Sequence, residues 1–256
     1  SAPVSVSEAA EEKVKISVVS DVYLKEWGGR VYSYDTNGLL ENVTYCPEVG
    51  EVTSISKFKY KGKKLVEYID AEGKTTEFKY DKKNRLKSLK KDGRSIIQYK
   101  CYKNGRVKTV TWKTKNKVDQ IQGTYKEKRF YKKNKLVKTS FIEPWFDDSK
   151  GMVYDSKNVI TARFKYYPNG MLKSINAGKG IVGRSYSYKY NSKKQPIKIT
   201  KKAGTKQIYN ITYKEIEVPK SYVKTIKNQQ KLMFMDYMAD WGITPKDNCY
   251  SIYNSQ

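Results

Sequence analysis

"FKYDKKNRLKSLKKDGRSIIQYKCYKNGRVKTV", from Phe78 to Val110, nearly repeats itself. Tyr80-Asp81-Lys82-Lys83-Asn84-Arg85-Leu86 is answered by Tyr102-Lys103-Asn104-Gly105-Arg106-Val107. Each unit is an alternating segment ending in tyrosine, a tight polar turn, and a segment opening with Leu, Val or Ile. The same unit recurs at Tyr34, Tyr60, Tyr131, Tyr154, Tyr167 and Tyr190. Secondary turns lie between these copies, at Trp27-Gly28-Gly29-Arg30, Asp70-Ala71-Glu72-Gly73, Lys91-Asp92-Gly93-Arg94 and Lys202-Ala203-Gly204-Thr205. Glycine in such turns accepts the positive φ of a tight hairpin, and Asn84, Asn134 and Asn158 can fill the same place.

Between turns the period is two. Tyr186, Tyr188 and Tyr190 fall on one face, Ser185, Ser187 and Lys189 on the other. Short alternating strands joined by tight turns predict an antiparallel meander. A single layer of that kind is marginal unless it curls or is covered. The expected fold is therefore all-β with a C-terminal helix, a β-hairpin meander curled into a trough or incomplete barrel, aromatic side inward. Residues 219–241 carry apolar side chains at helical spacing, with Pro219 in the first turn, and read as an amphipathic helix covering the sheet. Three segments follow: a tether over 1–15, a repeat region over 16–218, and a capping helix with its tail over 219–256, packed as one unit with the repeats.

Composition narrows the function classes. The chain has 256 residues, 52 Lys and Arg against 26 Asp and Glu, and a formal charge of +26, which draws anionic partners. The lysines are spread along the chain, the pattern of a solvated strand face that resists aggregation. The 23 tyrosines against 7 phenylalanines suit half-covered sheets. Cys46, Cys101 and Cys249 lie far apart and read as thiols, with one disulfide as the alternative. There is no histidine, which removes Ser-His-Asp and Cys-His catalysis and histidine metal sites. No apolar run approaches the ~18 residues of a membrane helix. The opening Ser1–Lys13 reads as a tether left after signal-peptide removal, or as an artificial edge.

At Tyr34-Asp35, Tyr80-Asp81 and Tyr102 the units resemble the tyrosine–aspartate (YD, Rhs-type) repeat family, whose unit reads Tyr-Asp-x-x-Gly-Arg-Leu. The resemblance covers residues 30–215. It departs where Asp is replaced after Tyr60, Tyr102, Tyr131, Tyr167 and Tyr190. It implies a β-rich bacterial protein, secreted or held at the cell surface, and no catalytic site.

Three functions stay open. The first is a non-catalytic exported scaffold or binding module whose partner is a carbohydrate or another surface protein. The second is a binder of anionic polymer (wall teichoic acid, polysaccharide, nucleic acid less favoured), with Tyr166, Tyr167, Lys165, Lys173, Tyr188, Lys189 and Trp145 as candidate ligand-binding residues. The third is a glycoside-active enzyme using Glu143 with Asp147 or Asp148 beside Trp145 and Phe146. Asp21, Glu26 and Glu41 are scattered. Asn42 and Asn210 sit in glycan acceptor triplets, which matter only in a secreted eukaryotic protein. No cofactor is implied.

Overall fold

The computed structural model describes residues 10–25, 28–47, 54–115, 122–178 and 183–233. Glu26, Trp27, Cys249 and the expected helix beyond 233 lie outside the described residues.

Sixteen antiparallel strands close into a barrel. They begin with β1 (Lys13–Leu24), β2 (Gly28–Tyr34), β3 (Leu40–Cys46), β4 (Ser54–Lys61), β5 (Lys64–Ile69) and β6 (Thr75–Tyr80). The wall continues with β7 (Leu86–Lys91), β8 (Arg94–Cys101), β9 (Val107–Lys115), β10 (Gln122–Lys132) and β11 (Lys135–Ile142). A small two-stranded excursion, β12 (Trp145–Asp147) and β13 (Gly151–Val153), leaves the wall there. The barrel resumes with β14 (Val159–Tyr166), β15 (Leu172–Ala177), β16 (Arg184–Tyr190), β17 (Pro196–Ala203) and β18 (Thr205–Pro219).

Every strand pairs with its neighbour in sequence, apart from β11 with β14 across the excursion and β1 with β18. That last pairing runs from Lys13 opposite Pro219 to Leu24 opposite Tyr209. The ribbon is thus a closed barrel, where the sequence predicts a trough or incomplete barrel. Closure removes both edges, each of which would leave a row of unpaired amides and carbonyls. A register shift adjoins the rim in seven hairpins, from Ser33/Tyr34 to Lys189/Tyr190. Such bulges add twist, and twist curves the sheet until its borders meet.

Polarity follows the strand period. Tyr32, Phe58, Phe78, Tyr99, Phe164, Tyr188 and Ile211 are buried inward, each two residues before a rim position. In β10 that place belongs to Arg129, paired with Glu127 at 2.8 Å in the interior. Outward lie Lys57, Lys59, Lys79, Lys100, Lys126, Lys128, Lys165 and Lys189, all exposed. A lipid-facing barrel has the opposite arrangement, an apolar band outside. No helix among the described residues is long and apolar enough to cross a membrane.

Of the C-terminal helix expected over 219–241, the described residues show the first part. Pro219 ends β18 and caps a 3-10 turn (Lys220–Tyr222), and α1 spans Val223–Leu232. It packs on the rim, where Ile226 joins Val18, Leu39 and Val218 in a small second core. Gly38 lies beneath it at φ +85°, and a Cβ there would meet Ile226 and Val218 at 2.5 Å. Only glycine fits that turn under that helix.

Candidate functional site

The rim carries the repeat's chemistry, and each residue of the unit has a distinct task. The hydroxyl of Tyr80 donates to the carbonyl of Leu65, at 2.7 Å, in the wall strand before its own. Tyr34, Tyr60, Tyr131, Tyr166, Tyr190 and Tyr213 do likewise toward Val19, Leu40, Val107, Leu136, Leu172 and Pro196. Burial pushes the Tyr80 and Tyr166 hydroxyls up to about 12 and raises those of Tyr190 and Tyr213 as well. The aspartate caps the turn: Asp81 Oδ1 accepts the amides of Lys83 and Arg85, and Asp35 those of Asn37 and Leu39. These bonds, the Arg85 amide foremost, hold the Asp81 carboxyl low. The basic residue reaches forward to the next tyrosine. Lys64 lies over Tyr80 at 5.2 Å, Arg106 over Tyr131 at 5.5 Å and Lys135 over Tyr166 at 5.1 Å.

This geometry accounts for the departures from the repeat. After Tyr60 and Tyr131 the hairpin turns in two residues, so no place exists for the aspartate. Lys133 and Asn134 both take positive φ there, the type I′ pattern, and Asn84 takes it in its own turn, whereas Asn158 does not. After Tyr190, Asn191 performs the same capping, accepting from Lys193 and Gln195. Two units are shifted by one residue from the sequence reading. Cys101 and Tyr166 occupy the rim tyrosine place, while Tyr102 and Tyr167 stand in the aspartate place, each making the turn's two backbone bonds. Their hydroxyls reach the other way, to the carbonyls of Arg129 and Tyr188. Beside Cys101, with no ring to cover, Arg85 pairs with Asp81 at 2.8 Å. Burial raises the Cys101 thiol, opposed by Arg85. Tyr154 is not a rim residue at all; it sits on the excursion, where its hydroxyl accepts the amide of Thr124.

The candidate ligand residues divide accordingly. Tyr188 is core at 2% exposure, and Tyr166 is half-buried beneath Lys135. Tyr167 stands at the rim with Lys173 over its ring at 5.7 Å and Tyr190 edge-on at 6.2 Å. Tyr102 has the same setting, with Lys108 and Tyr131. Lys165 and Lys189 lie on the outer wall, and Trp145 is exposed on β12. Lys189 stands directly opposite Lys198, and Lys202 opposite Lys206, pairs that the sequence period alone does not reveal because they depend on register. Cys46 and Cys101 are free thiols.

Of the carboxylates proposed for catalysis, that of Asp147 serves the excursion. Asp147 Oδ1 accepts the Ser149 hydroxyl and the amides of Ser149 and Lys150, which lowers its pKa, the hydroxyl bond contributing most. A carboxylate held ionised in this way caps a turn and is poorly suited to protonating a leaving group. Glu143 closes the base of the excursion through its backbone, exchanging bonds with Asn158. No group of three or more metal-ligating side chains occurs among the described residues.

No family model matches the chain, and no curated protein matches it. Among solved structures it is similar to a porin-like protein from Bacteroides vulgatus ATCC 8482, at 9% identity over 77% of this chain and 99% of that one, TM-score 0.49. It is also similar to a porin-like protein from Bacteroides uniformis ATCC 8492, at 11% identity over 80% of this chain and 96% of that one, TM-score 0.36. Part of TcdB2-TccC3 is similar as well, at 8% identity over 77% of this chain and 14% of that one, TM-score 0.31. Likeness at this level assigns the chain no role.

Proposed function

We propose that the protein is a non-catalytic binding module that works outside the cell and holds an anionic polymer on the lysine-rich outer wall of its barrel. The observation that carries this reading is the set of like-charged pairs facing each other across the wall, Lys189 opposite Lys198 and Lys202 opposite Lys206. Like charges directly opposite destabilise a sheet, and a bound polyanion relieves that cost. The hydroxyls of the rim tyrosines are engaged in architecture, so the polymer meets lysines first and the covered ring of Tyr167 second. The repeat grammar of tyrosine, cap, cation and aliphatic supports the relationship to YD-type repeats and an extracellular setting.

Retention on immobilised polyphosphate, measured from ~50 to ~300 mM salt, tests the idea. Binding that weakens steeply with salt, with a shallower slope in the Lys189→Glu, Lys198→Glu variant, is the expected result. No retention at ~50 mM salt ends the proposal.

A further inference from the structure

The excursion between β11 and β14 is the chemical exception on this molecule. Trp145, Phe146, Tyr154 and Val159 are each 45–47% exposed, and all lie within it or at its base. Exposed large apolar side chains gathered in one place mark interaction sites. The excursion is also well anchored. Asp147 caps its tip, the Glu143–Asn158 bonds close its base, and Pro144 and Met152 rest near Gly123 of β10. Its charge runs against the whole. Residues 143–158 hold Glu143, Asp147, Asp148 and Asp155 against Lys150 and Lys157, a net of −2 on a chain of +26.

A second exposed apolar group sits on the outer wall. Val31 and Ile55 flank Thr44 in one cross-strand row that Asp21 continues onto β1, and Tyr23, opposite Gly29, follows Asp21 on the same strand face. Val31, Ile55 and Tyr23 are 40–44% exposed, and the outward Lys57 follows Ile55 on the same strand face. In the ring order, β3 lies eight strands from β11, half the circumference of the sixteen. The excursion therefore cannot reach this patch on its own barrel.

We propose that the β12–β13 excursion of one molecule docks on the β1–β4 outer wall of a second copy. An acidic aromatic knob meets an apolar surface on a strongly basic body, so charge and hydrophobic contact favour the same arrangement. The two surfaces differ and lie on opposite sides, which makes the contact head-to-tail and able to extend into open chains. This goes beyond polymer binding and uses none of the lysine pairs assigned to it.

Sedimentation velocity over rising protein concentration tests the contact. The wild type should grow in mass with concentration, and salt should weaken the growth. Trp145→Ser with Phe146→Ser, and separately Ile55→Lys, should each leave a folded monomer by circular dichroism with association at least ~10-fold weaker. Mixed together, these two variants should form a capped dimer, because one keeps an intact wall and the other an intact knob. Ile55→Thr serves as the wall variant if the lysine disturbs folding. A wild type that stays monomeric at ~100 µM overturns the proposal, as does failure of the mixed variants to pair. Trp145-dependent sedimentation of the monomer with phosphatidylglycerol vesicles, in place of self-association, overturns it too.

Discussion

The hydroxyl of Tyr80 binds the carbonyl of Leu65 while its ring lies beneath Lys64, so this one side chain joins two repeats twice. Tyr80→Phe removes the hydrogen bond and keeps the ring. Urea denaturation should show a loss of about 1 kcal/mol, and an unchanged midpoint would contradict the assigned role. At this scale much was legible. The order tyrosine, polar turn, aliphatic could be seen in residues 80–86, though not the capping by Asp81, and the inward alternation of Tyr186, Tyr188 and Tyr190 is borne out. The one-residue shift at Cys101 and Tyr166 was not, because Tyr102 and Tyr167 offer the same letter one place later. Only the backbone bonds of the turn tell the two places apart.

Among the elements, α1 shows most clearly what hydropathy misses. Gln230 accepts the amide of Val19 and donates to the Tyr34 hydroxyl, which itself donates to the Val19 carbonyl. Gln229 makes the same closed circuit with Leu40 and Tyr60. Two adjacent glutamines thus read two neighbouring repeats, while the apolar stripe alone directs attention to Ile226 and Met233. Gln229→Ala with Gln230→Ala should release the helix. Hydrogen exchange would then rise in α1 and at the Val19 and Leu40 amides while remote strands such as β15 stay protected. Equal exchange in both proteins would show that the apolar contacts suffice. The β12–β13 excursion was legible only as an aromatic, acidic loop, since Tyr154-Asp155 imitates a rim turn at the opposite end of the barrel.

For the whole molecule, the ring of rim tyrosines makes stability sensitive to alkali. Tyr80 and Tyr166 hold their protons up to about 12, against ~10 in an unfolded chain. The folded values are the higher ones, so folding favours the neutral hydroxyl. That contribution is complete below pH ~10 and drains away as pH rises toward about 12. Tyrosinate absorbance should therefore rise first from exposed rings and then, together with loss of the β circular dichroism signal, from the rim. Titration of every tyrosine near pH ~10 with the fold intact would refute this. Curling and an inward aromatic face followed from the two-residue period, but sealing did not, since it depends on how far bulge-driven twist carries β18 toward β1.

That seam has a consequence for how the barrel is made. The amide of Lys220 bonds the carbonyl of Glu12, a contact joining the first and last strands of the wall. During synthesis the ribosome delivers every hairpin before β18, and each can zip locally onto the one before. Yet the outer edge of β1 waits unpaired until β18 emerges, and a polypeptide released short of it is a ribbon with two adhesive borders. Chaperone demand should thus peak late in translation, when the ribbon is longest and still unsealed.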